Sequence, residues 1–281
     1  MRIRRPLWLV LFLLAMACFW YPAYGQKRQP DVIYEPTPQE VVEAMLEMGR
    51  VTKEDVVYDL GCGDGRFVIT AAKRFGARGV GVDIVPARIK ESIENARKEG
   101  VAYQVTFIEK DLFETDISQA TVVTLYLSQE LNLRLRPKLF RELRPGARII
   151  SHTFDMDEWE PDNTGRIHLK TFYYWVMPAD VRGLWSWSIS LPNGKEHYIL
   201  LLNQKFQKIS GKVTIQRKKV SIADGQVKGD RVSFRVKHKT QRQTVLMQFS
   251  GHVTGDTIVG SVEVQGGPFA GNQEWLARRL P

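Results

Sequence analysis

Cysteine is nearly missing from the 281 residues: there are two, Cys18 and Cys62. Cys18 lies in an N-terminal apolar run and Cys62 inside a glycine-rich turn. A processed chain keeps one, which excludes an internal disulfide framework. Cys62 suits a small side chain in a tight turn better than a nucleophile. Histidine is equally sparse. His152 falls in an expected strand-end loop, and His168, His197, His238 and His252 are scattered, without a pair at ligand spacing, so no metal site is expected. No Ser-His-Asp order can be argued. The phosphate loop G-x-x-x-x-G-K-[ST] is absent. So is an apolar run of roughly 20 residues, the length a spanning helix needs; residues 7–21 give only 15. Excess charge is missing from most of the chain. The net +9 comes from residues 180–281, with 16 Lys/Arg against 7 Asp/Glu, whereas residues 1–179 hold 24 of each. Two units with different tasks are implied. The basic one suits nucleic acid, anionic lipid or an acidic protein, or is simply a solvated face.

What is present begins with an export pattern. Arg2, Arg4 and Arg5 precede the apolar run, and Ala23-Tyr24-Gly25 forms a small-x-small site before Gln26. Residues 1–25 therefore read as a signal peptide or a membrane anchor, with Trp20, Tyr21 and Tyr24 as an interfacial belt in the second case. Localisation follows: exported, periplasmic or secreted, or held at the membrane.

From residue 31 to 178, helical and strand patterns alternate. Residues 38–49 (PQEVVEAMLEMG) repeat apolar positions at helical spacing and stop at Gly49. Strands are expected at 56–59, 79–83, 105–108, 121–127 and 148–151, with helices at 67–75, 86–98 and 131–143. That alternation predicts an α/β domain, a parallel sheet with helices on both faces. Residues 180–281 change style. Short alternating runs are separated by glycine turns, and GQVKGDRV (225–232) is echoed by GHVTGDTI (251–258). Gly229-Asp230 and Gly255-Asp256 fall where hairpin turns would be. An all-β barrel or sandwich is expected there. Trp185 and Trp187 share one side of a strand, as core residues or as a stacking platform. Arg217-Lys218-Lys219 and the alternating Arg235, Lys237 and Lys239 form basic stretches facing acidic protein or lipid headgroups.

The chemistry concentrates in residues 56–66, VVYDLGCGDGR. A strand ends at Asp59 and the chain passes Gly61, Gly63 and Gly65 before a helix. Glycines permit positive φ and close approach of backbone to ligand, at the usual crevice of such sheets. Dinucleotide binding requires G-x-G-x-x-G; here the third glycine arrives one residue early and Arg66 takes its place. A carboxylate at Asp59 suits a cationic ligand better than a pyrophosphate. Asp83 ends the second strand, 22 residues after Gly61, where an acid accepts ribose hydroxyls. Asp111 follows the third strand, placed to accept from an adenine amino group. Singly, each is an ordinary capping carboxylate; three at successive strand ends, with the glycine turn, describe an adenosyl site.

On these residues the chain resembles the class I S-adenosylmethionine-dependent methyltransferases over residues 34–162, with a Rossmann-like sheet implied. The resemblance implies that Asp59, Gly61, Gly63 and Gly65 hold the methionine part, Asp83 the ribose and Asp111 the adenine. A narrower similarity, to small mitochondrial and bacterial protein-lysine methyltransferases, rests on YEPTP (34–38), LYLSQELNLRLRP (125–137) and SHTF (151–154). It implies that Tyr34 and Thr37 close over the cofactor and that Tyr126, Glu130 and Asn132 lie near the acceptor. Glu130 would offer a proton path for a lysine acceptor, while Tyr126 also reads as a packed strand residue. The absence of [ND]-P-P-[YF] after the fourth strand speaks against methylation of an adenine or glutamine amino group. The expectation is methyl transfer from S-adenosylmethionine to a protein or small-molecule acceptor, with membrane association in view and nucleic acid disfavoured. The rival is a non-catalytic protein that holds an adenosyl ligand or presents the β domain, since an exported enzyme must still meet a donor made inside the cell.

Overall fold

A computed structural model describes residues 29–191, 194–239, 244–266 and 270–281. The segment read as signal or anchor lies outside the described residues. Among those described, no helix is long and apolar enough to cross a membrane.

The N-terminal half is a seven-stranded sheet. Its strands are β1 (Val56–Leu60), β2 (Arg78–Asp83), β3 (Val105–Glu109), β4 (Val122–Leu125), β5 (Arg148–His152), β6 (Asn163–Ile167) and β7 (Lys170–Val176), in the order β3-β2-β1-β4-β5-β7-β6. The first five are parallel; β7 runs antiparallel to β5, and β6 antiparallel to β7. A helix, α1 (Gln39–Met48), precedes β1, and three connect strands: α2 (Arg66–Phe75), α3 (Pro86–Lys98) and α4 (Gln129–Glu142). Period-2 alternation decides the two cores. Val57, Val122 and Ile150 point to one face, against Val41, Met45, Val68, Ala72 and Ala96 of the first three helices. Leu60, Val123 and Ile149 point to the other, against Leu131, Leu135 and Leu139 of α4. Strand order reverses between β1 and β4, which opens a crevice at their carboxyl ends.

The C-terminal half is a closed eight-stranded antiparallel barrel: β8 (Gly183–Leu191), β9 (Gly194–Lys205), β10 (Lys208–Ile215), β11 (Lys218–Lys228), β12 (Arg231–Lys239), β13 (Thr244–Thr254), β14 (Thr257–Gln265) and β15 (Gly271–Arg279). Each strand pairs with its sequence neighbour, and β15 closes onto β8 through Arg278 with Ser186 and Arg279 with Trp185. Gly229 and Gly255, with φ of 59° and 56°, make the β11–β12 and β13–β14 turns. Both tryptophans named above point inward. Trp187 stacks on Tyr198 with centroids 5.1 Å apart and meets the edge of Trp275 at 5.2 Å, so they fill the barrel rather than form an outer platform.

Barrel and sheet meet at the amino ends of the parallel strands. The Ala179 N–H donates to the Gly229 carbonyl (2.8 Å). Phe206, between β9 and β10, stacks on Trp159, which packs on Phe140 of α4, and Lys208 pairs with Glu160 at 2.7 Å. The crevice is at the opposite end of the sheet.

Candidate active site

The glycine turn is fixed by its own backbone. The Gly61 and Cys62 N–H groups both donate to the Val82 carbonyl, at 2.8 and 2.9 Å, and Gly65 N–H donates to the Cys62 carbonyl at 2.8 Å. Gly61, Gly63 and Gly65 have φ of 89°, 54° and 82°. At Gly63 a Cβ would collide with the Tyr34 ring, and at Gly65 one would lie 2.7 Å from Phe107 and 2.8 Å from Ser92. Any larger residue would therefore be both strained and blocked. Gly65 also caps α2 in the left-handed conformation, turning the helix N-terminus toward the crevice.

The acidic residues are brought to the same region. Asp59 is buried at 3% exposure and accepts a 2.7 Å hydrogen bond from the hydroxyl of Thr124, its partner across β1 and β4. Burial raises its pKa to about 7, with nearby Asp64 and Asp83 adding to the rise. Asp83 receives the Gly63 N–H on one oxygen and the Val85 N–H on the other, both at 2.9 Å, so its orientation is locked to the glycine turn. Asp111, two residues beyond β3, accepts the Phe113 N–H at 2.9 Å. Cys62 is buried, and that burial together with the neighbouring carboxylates pushes its thiol far up, so it stays protonated.

The segment before α1 covers this turn. Tyr34 lies over Gly63, near the Asp64 carboxylate, and is stacked by the Arg88 guanidinium at 4.3 Å. Arg66 grips Asp64 with two nitrogens, at 2.9 and 2.6 Å, and donates a third contact to the Thr37 carbonyl. Arg66 stands where a dinucleotide turn would need glycine; here it staples the N-terminal segment to the turn. Thr37 is buried, and its hydroxyl pairs with His152 Nδ1 at 3.0 Å.

Beside it, the carboxyl ends of β4 and β5 form a second cluster. The Tyr126 ring is 4.1 Å from that of His152 and 6.5 Å from Phe154; burial, and then the nearby Glu35 carboxylate, raise its pKa. His152 is not in a loop, as its sequence position suggests. It is the last residue of β5, wholly buried, with Nε2 lacking a hydrogen-bond partner. Burial, and then Lys170, lower its pKa to about 4, so it is neutral at physiological pH. Thr153 holds φ of 67°, which is strained for a β-branched residue and concentrates at functional sites. Glu130, in the first turn of α4, is exposed. Asn132 is completely buried; its amide donates to Ser151 Oγ (3.0 Å) and to the carbonyls of Phe154 (3.0 Å) and Asp155 (3.3 Å). It braces the loop after β5 rather than facing the open crevice. Glu35, Thr124 and Thr153 were not found from sequence. Glu35 sits inside the YEPTP motif, a signal in hand, while Thr124 emerges only from strand pairing and Thr153 from its backbone conformation after β5.

The cradle thus presents glycines that admit a ligand against the backbone, a buried carboxyl poised near neutrality, and an oriented carboxylate at the end of β2. A ligand with a cationic end and a vicinal diol fits this donor and acceptor set. Comparison with known proteins agrees. Residues 59–163 match the family model of the ANTKMT methyltransferase domain. A protein-lysine N-methyltransferase of Saccharolobus islandicus is 50% identical over 133 residues, covering 47% of this chain and 83% of that protein. The adenine nucleotide translocase lysine N-methyltransferase of Mus musculus is 31% identical over 141 residues, 49% of this chain and 61% of its own length. A solved structure described as an RNA methyltransferase of Salinibacter ruber with S-adenosyl-L-homocysteine is 52% identical, covers 52% of this chain and 96% of its own, and superposes with a TM-score of 0.52. With the sheet order, the glycine cradle and these relatives in agreement, the chain belongs to the class I S-adenosylmethionine-dependent methyltransferases.

Proposed function

We propose that this enzyme methylates a lysine of a protein, with Asp59, Gly61, Gly63 and Gly65 holding the methionine part of the cofactor, Asp83 the ribose and Asp111 the adenine. S-adenosylmethionine supplies an electrophilic methyl on a sulfonium. The chain's own residues do the rest. Tyr34 and Thr37 close the cofactor side, and Arg66 keeps them there through Asp64 and the Thr37 carbonyl. The carrying observation is the Tyr126–His152–Phe154 cluster beside the cradle. Tyr126 and Phe154, partly exposed and backed by the buried, neutral His152, form an uncharged wall that accepts the aliphatic stem of a lysine and excludes water, and the faces of these two rings favour an ammonium. Glu35, the carboxylate near enough to raise the Tyr126 pKa, is the group assigned to receive the departing proton. Glu130, exposed at the start of α4, serves better to meet the surface of a protein acceptor.

The names of the relatives support lysine, while one solved relative is described as an RNA methyltransferase. Transfer of a labelled methyl group to cell extract, divided into protein and RNA, separates the two. Label on lysine, reduced at least tenfold by Tyr126→Ala and by Glu35→Gln, is the expected result. Label confined to RNA would replace lysine with a nucleotide acceptor. As to location, the apolar residues 7–21 would export the enzyme or hold it at a membrane.

A further inference from the structure

The outer surface of the barrel is not evenly mixed. Strand pairing sets Leu184 of β8 opposite Leu201 of β9, Leu201 opposite Lys212 of β10, and Lys212 opposite Ser221 of β11. One step along, Ser186 opposes Ile199, Ile199 opposes Thr214, and Thr214 opposes Lys219. Next on β12, Lys237 and Lys239 both point outward. The Leu280 N–H donates to the Leu184 carbonyl at 2.7 Å, which adds a fourth aliphatic side chain to the group. Leu184, Ile199, Leu201 and Leu280 are 39%, 45%, 47% and 37% exposed. An aliphatic patch therefore adjoins a lysine field on one continuous face.

Neither half is explained by the rest of the molecule. Among the described residues, Lys212, Lys219, Lys237 and Lys239 form no ion pair. Two acidic residues elsewhere on the barrel have cationic partners of their own, Asp224 in Arg235 and Asp256 in Arg279. Four adjacent lysines repel one another unless an anionic surface faces them. Contiguous exposed aliphatics mark a surface that something covers.

We propose that this face, with Leu184, Ile199, Leu201 and Leu280 beside Lys212, Lys219, Lys237 and Lys239, docks on an anionic lipid surface. Branched aliphatic side chains enter the headgroup boundary, and lysines lay their stems along it with the ammonium at the phosphates. Nucleic acid fits less well. Base binding needs aromatic stacking platforms, whereas Trp185, Trp187, Tyr198, Phe234, Phe249 and Trp275 are all buried inside the barrel. This docking is separate from any membrane affinity of residues 7–21, because an apolar segment does not require anionic lipid.

The test floats the full chain with phosphatidylcholine vesicles and with the same vesicles doped with phosphatidylglycerol. Stronger partitioning onto the anionic vesicles is expected, about tenfold or more at low salt, shrinking as salt screens the lysines. A variant carrying Lys212→Glu, Lys219→Glu, Lys237→Glu and Lys239→Glu loses that gain and keeps any binding to neutral vesicles. Leu184→Ser with Leu201→Ser weakens anionic binding even at low salt. Near-ultraviolet circular dichroism of the tryptophans buried in the barrel, Trp185, Trp187 and Trp275, verifies that each variant is folded. An unchanged preference for anionic vesicles in the lysine variant overturns the proposal. It is equally overturned if that variant loses only polyuridine binding, or if the serine variant turns a dimer into a monomer with vesicle binding intact.

Discussion

Asp59 is asked to be two things at once. Buried and bonded to Thr124, it carries a pKa raised to about 7, yet it is the charge proposed to meet a cationic ligand. A carboxyl whose folded pKa lies above its unfolded value near 4 holds a proton that the unfolded chain has released between those limits. Stability of the free protein therefore falls as pH rises from about 4 to about 7. His152 acts in the opposite sense. Its pKa is lowered to about 4, so the unfolded chain binds the extra proton between about 4 and 6.5, and stability rises with pH there. In the wild type the two slopes offset each other over that window. Asp59→Asn removes only the first, so thermal melts of the free variant are expected to gain on the wild type up to pH 7, by on the order of 2–4 kcal/mol. The same change is expected to weaken S-adenosylmethionine binding more than tenfold. A melt-versus-pH difference that stays flat from 4 to 7 would show that Asp59 titrates normally.

Among the elements, the amino ends of the strands are tied by a different carboxylate. Asp55 precedes β1 and is desolvated, but it accepts the Thr121 hydroxyl (2.7 Å), the Thr52 N–H (2.8 Å) and the Arg148 guanidinium, which together hold its pKa low. Arg148 also donates to the Gly49 and Arg50 carbonyls, so one pair links α1, β1 and β5. Removing one partner of such a buried pair costs about 3–5 kcal/mol. Asp55→Ala is expected to lose that much at pH 7, with the deficit closing as pH falls below about 4, because the wild type then protonates Asp55 as well. Cofactor affinity, at the far end of the sheet, should change less than twofold; a large loss would place Asp55 in the site's support. The contrast between the two ends explains what was legible. Strand ends carrying Asp59, Asp83 and Asp111 announce themselves locally, as does the glycine turn. β7 (KTFYYWV) lacks the clean alternation of a half-buried strand, β6 is polar, and β11 is interrupted by a register shift between Ala223 and Gln226, so these did not read as strands. The meeting of Glu35, Thr153 and Tyr126, and the turning of Asn132 into the loop after β5, depend on tertiary pairing that no local pattern encodes.

For the whole molecule, position matters most. The barrel joins the sheet through Phe206, Trp159 and Phe140, with Arg136 over Phe206 at 5.2 Å, away from the crevice. It therefore supplies no wall to the acceptor cluster, and it leaves the cofactor mouth open. Phe206→Ala, at a partly buried ring, is expected to cost about 1–3 kcal/mol at the junction and to split calorimetric unfolding into two transitions, one shifted by S-adenosylmethionine and one not. A single transition that moves as a whole with ligand would mean that other contacts couple the halves.

Closure by β15 onto β8 has a consequence for manufacture. Synthesis runs through seven barrel strands before the one that seals them emerges, so until then β8 and the newest strand both offer raw hydrogen-bonding edges beside exposed aliphatic side chains. A product clipped before Gly271 keeps those edges indefinitely, even though its cofactor cradle was completed long before. Such fragments would bind S-adenosylmethionine and still aggregate. The barrel thus makes the enzyme's solubility, rather than its chemistry, the property most sensitive to premature termination or proteolysis.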